Sequence, residues 1–322
     1  LPVGATPTSV APKVPSTWAG VEADFDSVAP DVRFLVASAS NGSCHTIASS
    51  GADTATPLAS SFKLIVLDAL AKAIQAGKVS WNEKLTVTSA TKSVKSGVLQ
   101  AEPDGTRISV QNVASDMISI SDNTAADMLI SLLGRSAIES VVKASGTSDA
   151  ALDDPFLTTR ERFVLEAYQW PQLADRYLAL DTAGRLRLLT TTIDRVPLDK
   201  VPTATWTVPR DIDSIEWFAS PDAMCRVYAS LDSMASHPRL KPLAGILTLP
   251  SLADLPASTW RSVWFKGGSE PGVSSFNYLA TTRTGKTFVV SVLAENPKGP
   301  IPASTSEVIG GAVAGAFELA GR

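Results

Sequence analysis

The sequence is poor in the side chains on which most hydrolytic and metal chemistry relies. Its 322 residues include two histidines, His45 and His237, and two cysteines, Cys44 and Cys225. Two histidines far apart leave little material for a multi-histidine metal site, and no metal or organic cofactor is expected. They also leave a Ser-His-Asp triad hard to build, and no G-x-S-x-G turn occurs. The two cysteines could pair in an exported protein. As isolated thiols they would be small buried hydrophobes, the commoner outcome. Charge is scarce and balanced, with 28 Lys+Arg against 32 Asp+Glu and no basic run. That argues against nucleic acid or an anionic membrane as partner. No apolar run approaches about 18 residues, so no transmembrane helix is expected.

Hydrophobic residues make up 44% of the chain, and at this length a large core is available. Residues 1–17, LPVGATPTSVAPKVPST, hold four prolines and a single charge, Lys13. They read as an extended tether of the kind that follows a signal, a lipid anchor or another domain, which points to an exported protein. One catalytic domain is expected over 18–322. VRFLVASAS (32–40) and SCHTIASS (43–50) alternate as two strands joined at Asn41-Gly42. Residues 57–77, PLASSFKLIVLDALAKAIQAG, read as a helix that is apolar on nearly every face. Residues 110–145 read as helical, with breaks at 119–122 and near Gly134-Arg135. Ser220 and Pro221 mark the start of a further helix. SVWFKGG (262–268), SFNYLATTR (275–283) and KTFVVSVLAEN (286–296) are strands, the last two a hairpin over Thr284-Gly285, and a small-residue helix closes the chain. One sheet is therefore assembled from both chain ends around a helical middle.

Within the first helix, Ser60 and Lys63 fall one turn apart on one face. A lysine amid Phe62, Leu64, Ile65 and Val66 either snorkels outward or is kept inside for chemistry. A serine needs a base near neutrality to become a nucleophile. A lysine can serve if it loses its proton, and moving its pKa from about 10.4 to about 7 costs roughly 4–5 kcal/mol. Burial and a neighbouring cation both push that way. Two further motifs follow in order: Ser121-Asp122-Asn123 at a break between helices, and Lys266-Gly267-Gly268 on a strand.

S-x-x-K, S-D-N and a Lys-x-Gly strand, in this order and on these elements, resemble the serine β-lactamase and penicillin-binding-protein superfamily from about residue 18 to the C-terminus. The resemblance implies an α/β (α+β) fold of the β-lactamase/transpeptidase type. An antiparallel sheet from both chain ends (18–59 and 237–322) would be flanked by helices, with a helical part at 60–236. It implies a serine acyl-transfer enzyme acting on a small-molecule acyl substrate, an ester or β-lactam, with a monomer expected. Ser60 would be the nucleophile and Lys63 its base. Ser121 would relay a proton to the leaving group, and Asn123 would bond Lys63 and a substrate amide. Lys266 would lower neighbouring pKa values and attract a carboxylate. The backbone N–H groups of Ser60 and Ser269, beside Gly268, would form the oxyanion hole. Trp264, two residues before Lys266, could flank the site.

Two departures stand out. Gly267 occupies the position that usually bears a hydroxyl. The stretch 147–219 is far longer than the Ω-loop it replaces and lacks the E-x-x-L-N pattern carrying a deacylating glutamate. Glu161, in TTRERF, is the candidate for activating water. Its alternative place is a helix start, paired with a neighbouring arginine. This insertion, with ISISDNTAADM and FKGGSEPG, resembles actinobacterial serine hydrolases related to the β-lactamase-like protein of the clavulanic acid gene cluster. That likeness implies an esterase or thioesterase-like enzyme with weak lactam activity. A true β-lactamase, a D-alanyl-D-alanine peptidase, or a module that binds lactams without turnover are the alternatives. Gly285-Lys286-Thr287 is no phosphate loop, because Ala280 stands where the upstream glycine would be.

Overall fold

The computed structural model describes residues 13–94, 96–249 and 253–322. Most of the expected tether, residues 1–12, lies outside the described residues. Its end is docked: Pro15 is buried, and its carbonyl would stand 2.5 Å from a Cβ placed on Gly315.

Helix α1 (Trp18–Asp26) is capped by the Thr17 hydroxyl and leads into β1 (Asp31–Ser40) and β2 (Ser43–Ser50). The hairpin between these strands turns on Asn41 (φ 51°) and Gly42 (φ 75°), the positive pair that a tight primed turn requires. The expected helix at 57–77 divides in three. Thr56–Pro57 is a short strand, β3, and Ala59–Phe62 is a single 3-10 turn. Helix α2 (Lys63–Gln75) begins only at the lysine and ends before Gly77, at φ 73°. It is apolar all round because it is buried all round, from Lys63 to Ala71. The small strands β4 (Lys84–Thr86) and β5 (Arg107–Ser109) pair with each other.

Helices α3 (Val110–Ser119), α4 (Asn123–Leu133) and α5 (Arg135–Ser145) break where the sequence says they should, at Ser121 (φ 56°) and Gly134 (φ 77°). The insertion contributes α6 (Thr159–Ala167), α7 (Gln172–Leu178) and α8 (Thr182–Thr191), with a small core of its own around Leu165, Leu189 and Ile215. It returns through β6 (Phe218–Ala219), which pairs with β3. Helix α9 (Pro221–Ala235) starts under a Ser220 cap with Pro221 in its first turn, and α10 (Leu243–Leu247) follows. Strands β7 (Trp260–Glu270), β8 (Val273–Thr282) and β9 (Thr287–Glu295) precede the closing helix α11 (Thr305–Ala320).

The main sheet runs β2-β1-β9-β8-β7, antiparallel throughout, and so is built from both chain ends. Along β1 the pleat sorts the core into two layers. Phe34 and Val36 join Phe25, Tyr278 and Phe317 under α1 and α11. Leu35 and Ala37 join Leu70, Tyr228 and Leu293 under α2 and α9. The two cysteines correct the expectation of isolated thiols. Helix α9 lies against β2, which brings the Cα atoms of Cys44 and Cys225 to 6.3 Å, and they form a disulfide. No helix among the described residues is long and apolar enough to cross a membrane.

Candidate active site

Ser60 sits in the 3-10 turn, half-exposed, and Lys63 opens α2 with no exposed surface. In a 3-10 turn residues three apart eclipse one another. The Lys63 Nζ accordingly lies 3.0 Å from the Ser60 Oγ. It also lies 2.7 Å from the Ser121 carbonyl, 2.8 Å from Asn123 Oδ1 and 3.1 Å from Ser121 Oγ. The carbonyl and the amide oxygen can only accept, so they use two N–H bonds. The other two contacts are hydroxyls, which can donate. A neutral amine therefore fits, with its lone pair left for a serine proton. Burial first, and the Lys266 cation second, push Lys63 well below the ordinary lysine range.

The Ser121 segment is held hard. The residue has positive φ, a conformation costing a non-glycine about 1–3 kcal/mol unless its surroundings impose it. The Asp122 carboxylate imposes it, capping α4 through Ala125 N–H and accepting from Val98 and Leu99 N–H at 2.6 and 2.8 Å. Gly97 leaves the space: a Cβ there would stand 2.2 Å from Asp122 Oδ2. The Ser96 hydroxyl donates to the Ser121 carbonyl at 2.9 Å.

Strand β7 brings the third motif. Lys266 Nζ donates to Ser121 Oγ at 3.1 Å and to the Gly267 carbonyl at 2.6 Å, and burial pushes its pKa down to about 7. Gly268 lies against the serine turn so closely that a Cβ would stand 2.5 Å from Ser60 N, 2.6 Å from the Leu58 carbonyl and 2.7 Å from Ser61 N. Beneath the turn runs a buried polar chain. Ser291 Oγ donates to Asn277 Oδ1, Asn277 Nδ2 donates to Ser61 Oγ, and Ser61 Oγ meets Ser275 Oγ at 2.7 Å.

Two cavities open on Ser60. The larger, about 550 Å3, is lined by Ser121, Lys266, Ser269 and the rings of Phe265 and Phe276. The smaller, about 270 Å3, is walled by Asn123, Arg162, Phe163, Trp206, Trp217 and Glu270. Ser60, Lys63, Ser121, Asn123, Lys266, Gly268 and Ser269 are thus brought together. Two expected residues are not. Trp264 is buried in the core under α2 and α9, and the cleft wall is formed by its neighbour Phe265. Glu161 closes a capping box with Thr158 at the start of α6 and pairs with Arg135. It lines a separate cavity with Arg135 and Asp194, so its surroundings are those of a helix cap. Gly267 also has a local reason: a Cβ there would meet the tip of the Phe265 ring at 2.9 Å.

Sequence reasoning missed Ser96, the serine–asparagine chain below the turn, and a buried charge cluster. In that cluster Arg162 pairs with Glu166 at 2.9 Å, with Glu216 at 3.0 Å and with Glu270. No motif marks these residues, because they meet only through the fold.

The antiparallel sheet, the buried helix beneath it and a serine–lysine pair at the helix start define the serine β-lactamase and penicillin-binding-protein superfamily. The chain belongs to the beta-lactamase enzyme family, whose model matches residues 22–192. Solved structures agree on the fold. A β-lactamase from Sphaerobacter thermophilus is 21% identical, with a TM-score of 0.63 over 94% of this chain and 97% of its own. PBP-A is 18% identical, with a TM-score of 0.60 over 96% and 98%. A β-lactamase from Chitinophaga pinensis is 17% identical, with a TM-score of 0.63 over 94% and 98%. A comparison with curated proteins found no match. The protein is a serine hydrolase of the β-lactamase and penicillin-binding-protein type.

Proposed function

We propose that the protein hydrolyses esters, thioesters or related acyl compounds through an acyl-enzyme on Ser60, and turns over β-lactams poorly. The carrying observation is the buried Lys63 amine, 3.0 Å from the Ser60 hydroxyl and depressed by burial and by Lys266. The Lys63 lone pair takes the Ser60 proton as Oγ bonds to the acyl carbon. The carbonyl oxygen becomes an oxyanion held by the N–H groups of Ser60 and Ser269. The tetrahedral intermediate collapses, and the departing oxygen or sulfur takes a proton through Ser121 Oγ, which both lysines contact. Water then releases the acid and restores Ser60.

Ester over lactam rests on two observations. Gly267 has no hydroxyl to hold a lactam carboxylate, with the Phe265 ring tip 2.9 Å from where its Cβ would be, and Glu161 serves a helix cap. Two glutamates near the smaller cavity, Glu216 and Glu270, are paired with Arg162. The likeness to serine hydrolases related to the clavulanic acid cluster points the same way. The second reading is a β-lactamase or peptidase, favoured by the fold shared with PBP-A, a mutant of which has been solved as an acyl-enzyme with penicillin G. The disulfide between Cys44 and Cys225 favours an oxidising compartment and hence export.

The test is intact mass after brief incubation with a penicillin and, separately, with a p-nitrophenyl ester, for the parent and Ser60→Ala. A persistent penicillin adduct absent from Ser60→Ala, with ester turnover, is expected. Rapid penicillin loss without an adduct would make it a β-lactamase. No adduct and no turnover with either compound would overturn the proposal and leave the fold with a different substrate class, or a binding module.

A further inference from the structure

Ala59, the residue before the nucleophile, has φ 44°. A side chain in that left-handed region costs roughly 1–2 kcal/mol and persists only where neighbours fix it. Two consecutive residues at the end of the insertion do so. The Trp217 carbonyl accepts the Leu58 N–H at 2.9 Å, and Glu216 Oε2 accepts the Ala59 N–H at 2.7 Å. They continue the short β3–β6 pairing of Pro57 with Phe218 up to the serine turn.

Glu216 is 2% exposed and is itself oriented from behind. Arg162 Nε lies 3.0 Å from its Oε1, and the guanidinium carbon is 5.0–5.4 Å from the ring centroids of Phe163, Trp206 and Trp217. Arg162 further pairs with Glu166 on α6 and with Glu270 at the end of β7. Burial alone would push the guanidinium down, but the three glutamates hold it above its ordinary value. One arginine therefore locks the insertion, the strand carrying Lys266 and the approach to Ser60 into one unit.

We infer that Glu216 is a positioning residue for acyl transfer: oriented by Arg162, its carboxylate fixes Ala59 so that the Ser60 N–H points at the developing oxyanion. The peptide plane between Ala59 and Ser60 carries that N–H. The peptide before it is held by the Glu216 bond to Ala59 N–H, and the peptide after it by Ser61 N–H bonding the Leu58 carbonyl at 3.1 Å. Releasing Ala59 lets the plane rotate, and the donor is lost without loss of the nucleophile or its base. The inference rests on the proposed acyl-transfer function.

The readout is the single-turnover acylation rate with a p-nitrophenyl ester and with its thionoester, whose sulfur is a weaker acceptor and gains less from oxyanion donors. Glu216→Ala is expected to slow acylation by the oxygen ester on the order of 100-fold, the effect of losing one such donor. The thionoester should slow no more than severalfold. Glu216→Gln keeps an acceptor for Ala59 N–H but not the ion pair, and should fall between parent and Glu216→Ala. It also carries the test should the alanine variant not fold. Equal slowing of both esters, or no slowing in either variant, overturns the assignment while leaving Ser60 chemistry intact. A parent protein that neither ester acylates at Ser60 overturns the proposed function, and the Glu216 role falls with it.

Discussion

Ser60 and Lys63 are joined side chain to side chain at 3.0 Å, and the lysine has no exposed surface. Burial and the Lys266 charge outweigh the opposing carboxylates of Asp127, Asp122 and Glu216 and push that amine well below the ordinary lysine range. Leu64, Ile65 and Val66 exclude water, and Lys266 adds a positive charge.

Acylation should therefore rise with pH through the folded-state pKa of Lys63 and level off well below the ordinary lysine range. The single-turnover rate of ester acylation from pH 5 to 10 measures this; a rate still climbing steeply at pH 10 would contradict it. Stability has its own sign. Lys266 titrates near 7 folded and near 10.4 unfolded. Between those values the unfolded chain binds more protons, so stability rises with pH across the window, and below about 7 the full burial cost is present. Lys266→Met should flatten that rise in denaturant midpoints measured at pH 7 and 10.

Gly268→Ala should remove activity by a steric route. Its Cβ would stand 2.5–2.7 Å from three backbone atoms of the serine turn, which cannot rotate out of the way. Strand β7 must then withdraw, and a displacement near 1 Å costs on the order of 100-fold in rate. Ester kcat/KM beside a melting curve separates lost activity from lost fold.

Gly267→Thr restores the missing hydroxyl but drives its Cβ toward the Phe265 ring tip, 2.9 Å away. Alone it should gain little. Combined with Phe265→Leu, it should raise the penicillin acylation rate on the order of tenfold, the worth of one hydrogen bond to a charged group at about 1.5 kcal/mol. Stopped-flow acylation of the two variants and the parent decides the matter.

Cys44→Ser should cost about 2–5 kcal/mol, because the disulfide closes a loop with a sequence separation of 181. The same loss should follow reduction of the parent, and the Cys44→Ser protein should be indifferent to reductant. Urea midpoints with and without reductant measure it.

The legible part of this protein was the part encoded locally. The turn at Asn41-Gly42, the Ser220 cap and the break at Ser121 are written in a few adjacent residues. Ser60, Lys63, Ser121, Asn123 and Lys266 could be read as one cluster because short motifs place those types on recognisable elements, and the fold brings them together. What stayed hidden depends on distant pairing. Glu216 reaches Ala59 across 157 positions, and Asn277 reaches Ser61 across 216. The side chosen by Trp264 turns on the pleat of β7, since a residue two before Lys266 shares its face but lies deeper in the core. Glu161 looked available in sequence because its partner, Arg135, lies 26 residues upstream. The cysteines gave no pairing signal, because only the docking of α9 on β2 brings them together.

The bridge from Cys44 to Cys225 encloses Ser60, Lys63, Ser121, Asn123 and the whole insertion, and leaves Lys266 outside. A protease that cuts any loop between the two cysteines therefore leaves one covalent molecule. Such a nicked protein would run intact on an unreduced gel and separate into two fragments only when reduced. Ser60 would travel with one fragment or the other according to the cut, while Lys266 would always accompany Cys225.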